Sequence, residues 1–334
     1  MKTLVVSLFI VINTAYLFAQ SETQWLPDYP GKLTFHHKIS GEIEKYKLTP
    51  AELITYQKKI DAIVETLHQN PVLKNPIGFE PSVNVLVWPD DKLGYKTISL
   101  ADEIVGSRIA IQFCPYLRDE SGNVKKHCME VSSCDVHLNQ PKATTEKYLN
   151  FTGSDAKTEE AYIIAQRLSK IFIKPLVVKE LAEGVTAYSS GIIIVSNPNR
   201  PYWIPVTTGN FFDLLLKLWE LGIKSGITGA PDVFDIIKAE KEALTQEELK
   251  LPAYFDNGKI SQITVIQNNS PLIRFNPDYF DRSLPRTSIQ LIAMHTLTDS
   301  FIMDCDYKEL AYQKHCEFVK LLDVRPLQAL IEVK

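Results

Sequence analysis

Apolar side chains recur at helical spacing most clearly between residues 49 and 70, where Leu53, Ile60, Ile63, Val64 and Leu67 mark one stripe. The start is spelled out by Thr49-Pro50-Ala51-Glu52: a capping hydroxyl, a proline suited to the first turn, and a carboxylate that closes a capping box. Asn70-Pro71 ends the helix. A more apolar helix is predicted over Phe211–Leu221, with Phe211, Leu214, Leu215 and Leu218 in one stripe and Gly222 as its expected stop. It is too short to cross a bilayer. Further helical patterns cover Asp232–Glu242, Gln246–Leu249 behind a Thr245/Glu248 capping box, and Tyr307–Leu322.

Alternating and β-branched runs predict the strands. These are Val83–Trp88, Arg108–Phe113, Asp135–Leu138, Tyr148–Phe151, Ile260–Gln267 and Leu272–Phe275. Lys170–Val178 reads as an edge strand because Pro175 breaks it. Val185–Tyr188 and Ile192–Ser196 flank Ser189-Ser190-Gly191 and read as a hairpin, followed by a turn cluster at Asn197–Pro201 and an extended piece at Tyr202–Val206. Arg118–Cys128 reads as a polar loop around Ser121-Gly122-Asn123. Ser288–Leu297 fits a helix or a strand. Without tandem repeats or regular βαβ alternation, these mixed strands and hairpins with separate amphipathic helices define an α+β protein. Polar Gly153-Ser154-Asp155-Ala156-Lys157 suggests an N-terminal part, 20–155, and a C-terminal part, 156–334, although 20–334 also fits one domain.

The first nineteen residues stand apart. Lys2 precedes a mostly apolar run from Leu4 to Phe18, then Ala19, then polar Gln20-Ser21-Glu22-Thr23-Gln24, which is the layout of a secretory signal peptide cleaved after Ala19. No later run is long and apolar enough to span a bilayer, so the mature chain is expected to be secreted or periplasmic. At 45% hydrophobic and 23% charged residues the composition is that of a globular protein. A net charge of −4, with no Lys/Arg run longer than a pair, leaves no electrostatic footprint for nucleic acid.

Export makes disulfides permissible, and five cysteines leave at least one unpaired. Cys114, Cys128 and Cys134 are close in sequence, so a bridge among them is expected. Cys305 and Cys316, if carried by one straight helix, would be about 16 Å apart and unable to pair, which makes Cys316 a buried thiol.

Thr49-Pro50-Ala51-Glu52-Leu53, Pro76-Ile77-Gly78-Phe79-Glu80, Val185-Thr186-Ala187-Tyr188, Gly191-Ile192-Ile193-Ile194-Val195 and Ser283-Leu284-Pro285-Arg286-Thr287-Ser288-Ile289-Gln290-Leu291 resemble segments of uncharacterised secreted bacterial proteins. Asn199-Arg200-Pro201-Tyr202-Trp203-Ile204-Pro205-Val206-Thr207 carries the most distinctive likeness. The resemblance implies export.

Four kinds of chemistry are worth weighing: metal binding, nucleophilic catalysis, paired carboxylates and recognition. Cys114, His127, Cys128, Cys134 and His137 are zinc-type side chains, but a strand over 133–138 sends Cys134 and His137 to opposite faces, so a disulfide is expected and no metal. His295 and Asp299 would sit one turn apart on a helix, as a base with its orienting carboxylate; on a strand, His295 joins Leu291, Ala293 and Leu297 as core. Asp135 with His137 is a comparable pair. Ser154-Asp155-Ala156-Lys157 matches Ser-x-x-Lys without its companion motifs and reads as a polar turn. Asp299, Asp304 and Asp306, with Glu180 and Glu183, read as acidic surface. Arg200, Tyr202 and Trp203, with Arg286, offer cations beside aromatic faces, suited to a small molecule, a glycan or a protein segment. The sequence names no cofactor. The reading that emerges is an exported binding or interaction protein of the cell envelope, with an exported hydrolase using His295 or His137 as the alternative. Asn150-Phe151-Thr152 and Asn268-Asn269-Ser270 fit glycosylation acceptors.

Overall fold

The computed structural model describes residues 24–87, 104–128, 132–141, 158–189, 191–254, 271–297 and 304–334. The leader, Asp299, both glycosylation acceptors, Ser154–Lys157, the boundary near 155 and the strands expected at 148–151 and 260–267 lie outside them. In chain order the strands are β1 (Gln24–Trp25), β2 (Thr34–Gly41), β3 (Phe79–Val87), β4 (Ser107–Arg118), β5 (Val124–Lys126), β6 (Ser132–Leu138), β7 (Phe172–Ile173), β8 (Val177–Ala182), β9 (Val185–Tyr188), β10 (Ile192–Ser196), β11 (Trp203–Pro205), β12 (Leu272–Phe275) and β13 (Leu291–His295). The helices are α1 (Pro50–His68), α2 (Pro71–Lys74), α3 (Glu159–Ser169), α4 (Thr208–Lys224), α5 (Ala230–Glu242), α6 (Gln246–Lys250), α7 (Leu310–Lys320) and α8 (Arg325–Gln328).

The α+β class holds. A mixed sheet runs β2-β3-β4-β6-β13-β10-β9-β8, with β1 and β5 attached to the far end of β4. Among the described strands of this sheet only β2 and β3 run parallel; the other pairings are antiparallel. Strand β6 lies beside β13, so the two ends of the chain share one sheet across residue 155. Three short strands, β11-β12-β7, form a second sheet.

Period-two alternation divides the large sheet into two unlike faces. One carries Val83, Val85, Ile109, Ile111, Phe113, Cys134, Val136, Ile193, Ile292 and Met294, all buried against helices α1, α2, α7 and α8. Helix α1 starts as its sequence dictates, with both halves of the Thr49/Glu52 capping box formed, and Tyr56, Ile60, Ile63, Val64 and Leu67 turned inward. Fully burying each such side chain contributes roughly 1.5–3 kcal/mol. A second cluster joins α3, α4 and α5 through Ile164, Leu168, Phe211, Leu215 and Ile237.

Three expectations change. The loop over 118–128 contains β5, because Gly122, at φ +82°, lets the chain turn back onto β4. The Lys170–Val178 strand is two strands, β7 and β8, which Pro175 separates and sends to different sheets. Helix α4 runs through Gly222, which is buried facing α5; a Cβ there would lie 3.5 Å from the Ala230 Cβ. The chain leaves the helix at Ser225, and Gly226 supplies the left-handed φ of +69°.

Candidate functional site

The second face of the large sheet is where polar side chains collect. Toward β10 it is closed by an aromatic cluster in which Ile192, Ile194, Leu291 and Ala293 meet Tyr202, Tyr279, Trp203 and Phe275. Toward β4 and β6 it turns polar. Register places Arg108 of β4 opposite His137 of β6, and Asp135 of β6 opposite His295 of β13. Antiparallel partners point to the same side, so these four side chains share one patch. An Arg108 Nη2–Asp135 Oδ1 ion pair of 2.7 Å lies beside the histidines, each side chain a fifth to a third exposed. The His137 and His295 rings meet edge to face with centroids 5.4 Å apart. Gln140 sits 3.1 Å from His137 Nδ1 through its Oε1. With that oxygen accepting, Nδ1 carries a hydrogen.

The ambiguous segment is therefore a strand, and Leu291, Ala293 and His295 share its outer face. His295 is only part-buried: it pairs in register with Ile192 of the aromatic cluster, and its ring meets that of His137. Arg108 and Gln140 were not singled out by sequence. The alternation in β4 gives the side on which Arg108 stands; only the β4–β6 register shows that Asp135 stands nearby.

The binding candidates do not converge. Arg200 donates to Asp281 at 3.1 Å and to the Tyr279 carbonyl at 3.3 Å. Tyr202 is buried among aromatic rings, and Trp203 packs against it and Tyr188. Arg286 donates to the Tyr46 carbonyl instead of joining that group. These side chains hold the protein together, which leaves Tyr202 with no open face for stacking.

The cysteines correct one expectation and meet another. Cys114 bonds Cys128, taking both out of any metal set. Cys305 bonds Cys316, because Cys305 precedes α7 in a non-helical segment and the helical spacing does not apply. The unpaired thiol is Cys134, buried on the helix-covered face, where desolvation pushes its pKa up and keeps it unreactive. Strand β6 sends Cys134 and His137 to opposite faces, and among the described residues no group of three His, Cys, Asp or Glu could hold a metal.

One hydroxyl–imidazole pair lies elsewhere. Ser132 Oγ and His315 Nδ1 are 2.7 Å apart beneath α7, and the imidazole stacks on Phe113. Both are buried, and desolvation lowers the His315 pKa from 6.5 to about 3. This is a neutral core histidine sealed from any substrate.

The described residues thus define an α+β protein whose mixed sheet is apolar on its helical side and carries an Arg–Asp–His–His patch on the other. Two disulfides, and the lack of any described helix long and apolar enough to cross a membrane, are compatible with an extracellular or periplasmic location. No family profile, curated protein or solved structure matches the chain.

Proposed function

We propose that this is an exported protein, its leader removed after Ala19, that binds a small polar ligand on the second face of its large sheet, where Arg108, Asp135 and His295 are part-exposed and His137 is buried beside them. The observation that carries the reading is the meeting of four side chains from three adjacent strands, the histidines 5.4 Å apart and the ion pair at 2.7 Å. A strand face needed only for packing would bury apolar side chains at these positions, as the opposite face does. The signal-like N-terminus, the likeness to secreted bacterial proteins and the two disulfides support export. Binding is favoured over hydrolysis because the Ser132 hydroxyl held to an imidazole is in the core, while the neighbours shown for His137 are the Gln140 amide and the His295 ring. The hydrolase reading draws on one observation, the placing of His137 by Gln140, which orients a ring as an active-site base is oriented.

The test uses the mature protein with 15N-labelled histidine, titrated with inorganic phosphate, succinate and glucose in turn. Binding at this face shifts the His137 and His295 ring signals together with one solute and leaves His315 unmoved, and Asp135→Asn weakens the response at least tenfold. No shift with any solute overturns the site. Turnover of a nitrophenyl ester that His295→Ala abolishes while the protein stays folded replaces binding by hydrolysis. Intact mass of the exported chain checks the leader: loss of residues 1–19 is expected, and a retained leader overturns export by cleavage.

A further inference from the structure

On the opposite, helix-covered side, α1 and the C-terminal segment flank a shallow, half-open groove of about 260 Å³. Ala62 and Ile63 from α1, Ile289 before β13 and Leu330 after α8 give it an apolar lining. Lys58 and Lys59 each lie three or four residues from both Thr55 and Ala62, so one face of α1 supplies both mouth and floor. At that face the small Ala62 side chain leaves open the volume a larger residue would fill.

The mouth is basic. Lys59 Nζ is 2.6 Å from Glu332 Oε1, and Glu332 is fixed by the Ile289 amide at 2.9 Å and the Ser288 hydroxyl at 3.1 Å. Lys58 is exposed and has no ion-pair partner among the described residues. An apolar trough with an uncompensated ammonium at its mouth selects an amphiphile with an anionic head. Its volume lies just under the range of about 300–1,000 Å³ usual for small-molecule sites, which excludes a two-chain lipid.

We propose that this groove binds a free medium-chain carboxylate, with the tail along Ala62, Ile289 and Leu330 and the carboxylate on Lys58. The site is independent of the polar sheet face. The tail gains by leaving water, so affinity climbs roughly fourfold per added methylene until the chain outgrows the groove. The carboxylate supplies orientation and a salt-sensitive contact with the exposed ammonium.

Calorimetric titration of the mature protein with sodium hexanoate, octanoate and decanoate, below their micelle concentrations, tests this. Expected are a rise in affinity along the series, a loss of at least tenfold in Ala62→Phe, and a smaller loss in Lys58→Glu that high salt reproduces in the parent protein. Both positions are exposed, and a circular dichroism spectrum confirms that each variant folds. The proposal is overturned if decanoate gives no heat up to its solubility limit, if Ala62→Phe binds as the parent does, or if decyltrimethylammonium binds as tightly as decanoate. It is also overturned if the parent protein is a dimer that Ala62→Phe turns into a monomer, since a second copy then covers the groove.

Discussion

Among single residues Asn139 holds the most together. It follows β6 with a left-handed φ of +53°, a conformation asparagine tolerates better than most side chains. Its buried Nδ2 donates to the carbonyls of Val105 and Ser288, at 2.9 and 2.7 Å. Its Oδ1 accepts from the amides of Gln290 and Leu291, at 2.8 and 3.2 Å. Truncation to alanine leaves four backbone groups without these partners and strains the backbone. Asn139→Ala is therefore expected to lower the urea unfolding free energy by about 3–5 kcal/mol, a sum of individual losses of about 1–3 kcal/mol each, only partly additive. A loss under about 1 kcal/mol would show that water replaces the side chain. His315 gives the pH prediction. Folded, its pKa lies near 3; unfolded, near 6.5, so below pH 6.5 the unfolded chain binds the extra proton and stability falls with pH down to about 3. In that window the parent should lose about 1.4 kcal/mol per pH unit more than His315→Gln, and parallel stability–pH curves would show that His315 is not buried neutral.

At the scale of elements, what could be read from sequence was local. The capping box of α1, the hairpin β9–β10, the Thr245/Glu248 box before α6 and the strand at 272–275 follow from residues close together in the chain. What could not be read depends on distant partners. Helix α3 has a threonine cap and an inward stripe of Ala161, Ile164 and Leu168, a short signal masked in sequence by the polar stretch before it. Helix α4 outruns Gly222 because α5 packs there. In sequence His295 has only near neighbours to be set against, Asp299 on a helix or Leu291, Ala293 and Leu297 on a strand, whereas its ring neighbour is His137 on the adjacent strand. The cysteines give this scale its prediction. Ellman's reagent should find no reactive thiol in the native protein and one per chain, Cys134, after denaturation without reductant. Three reactive thiols would mean that one bridge is absent. Reduction should destabilise the protein by roughly 3 kcal/mol for each bridge of this loop length.

For the whole molecule, the pairing of β6 with β13 matters more than any local feature. Ile292 lies opposite Leu138, and between them the chain builds the second core, the hairpin β9–β10 and the three-stranded sheet. The two faces of the large sheet also have separate roles: the apolar face holds the helices, and the polar patch draws on β4, β6 and β13 together. Such a patch exists only when both ends of the chain are in place. A chain emerging from its N-terminus carries β6 with one edge bare while roughly 150 further residues are made. Until β13 arrives, that edge is a row of unpaired amides and carbonyls beside buried-type valine and leucine, open to any other nascent strand. The hazard for this protein is thus one of timing, and a factor that shields residues 132–138 during synthesis would raise its yield without touching the finished fold.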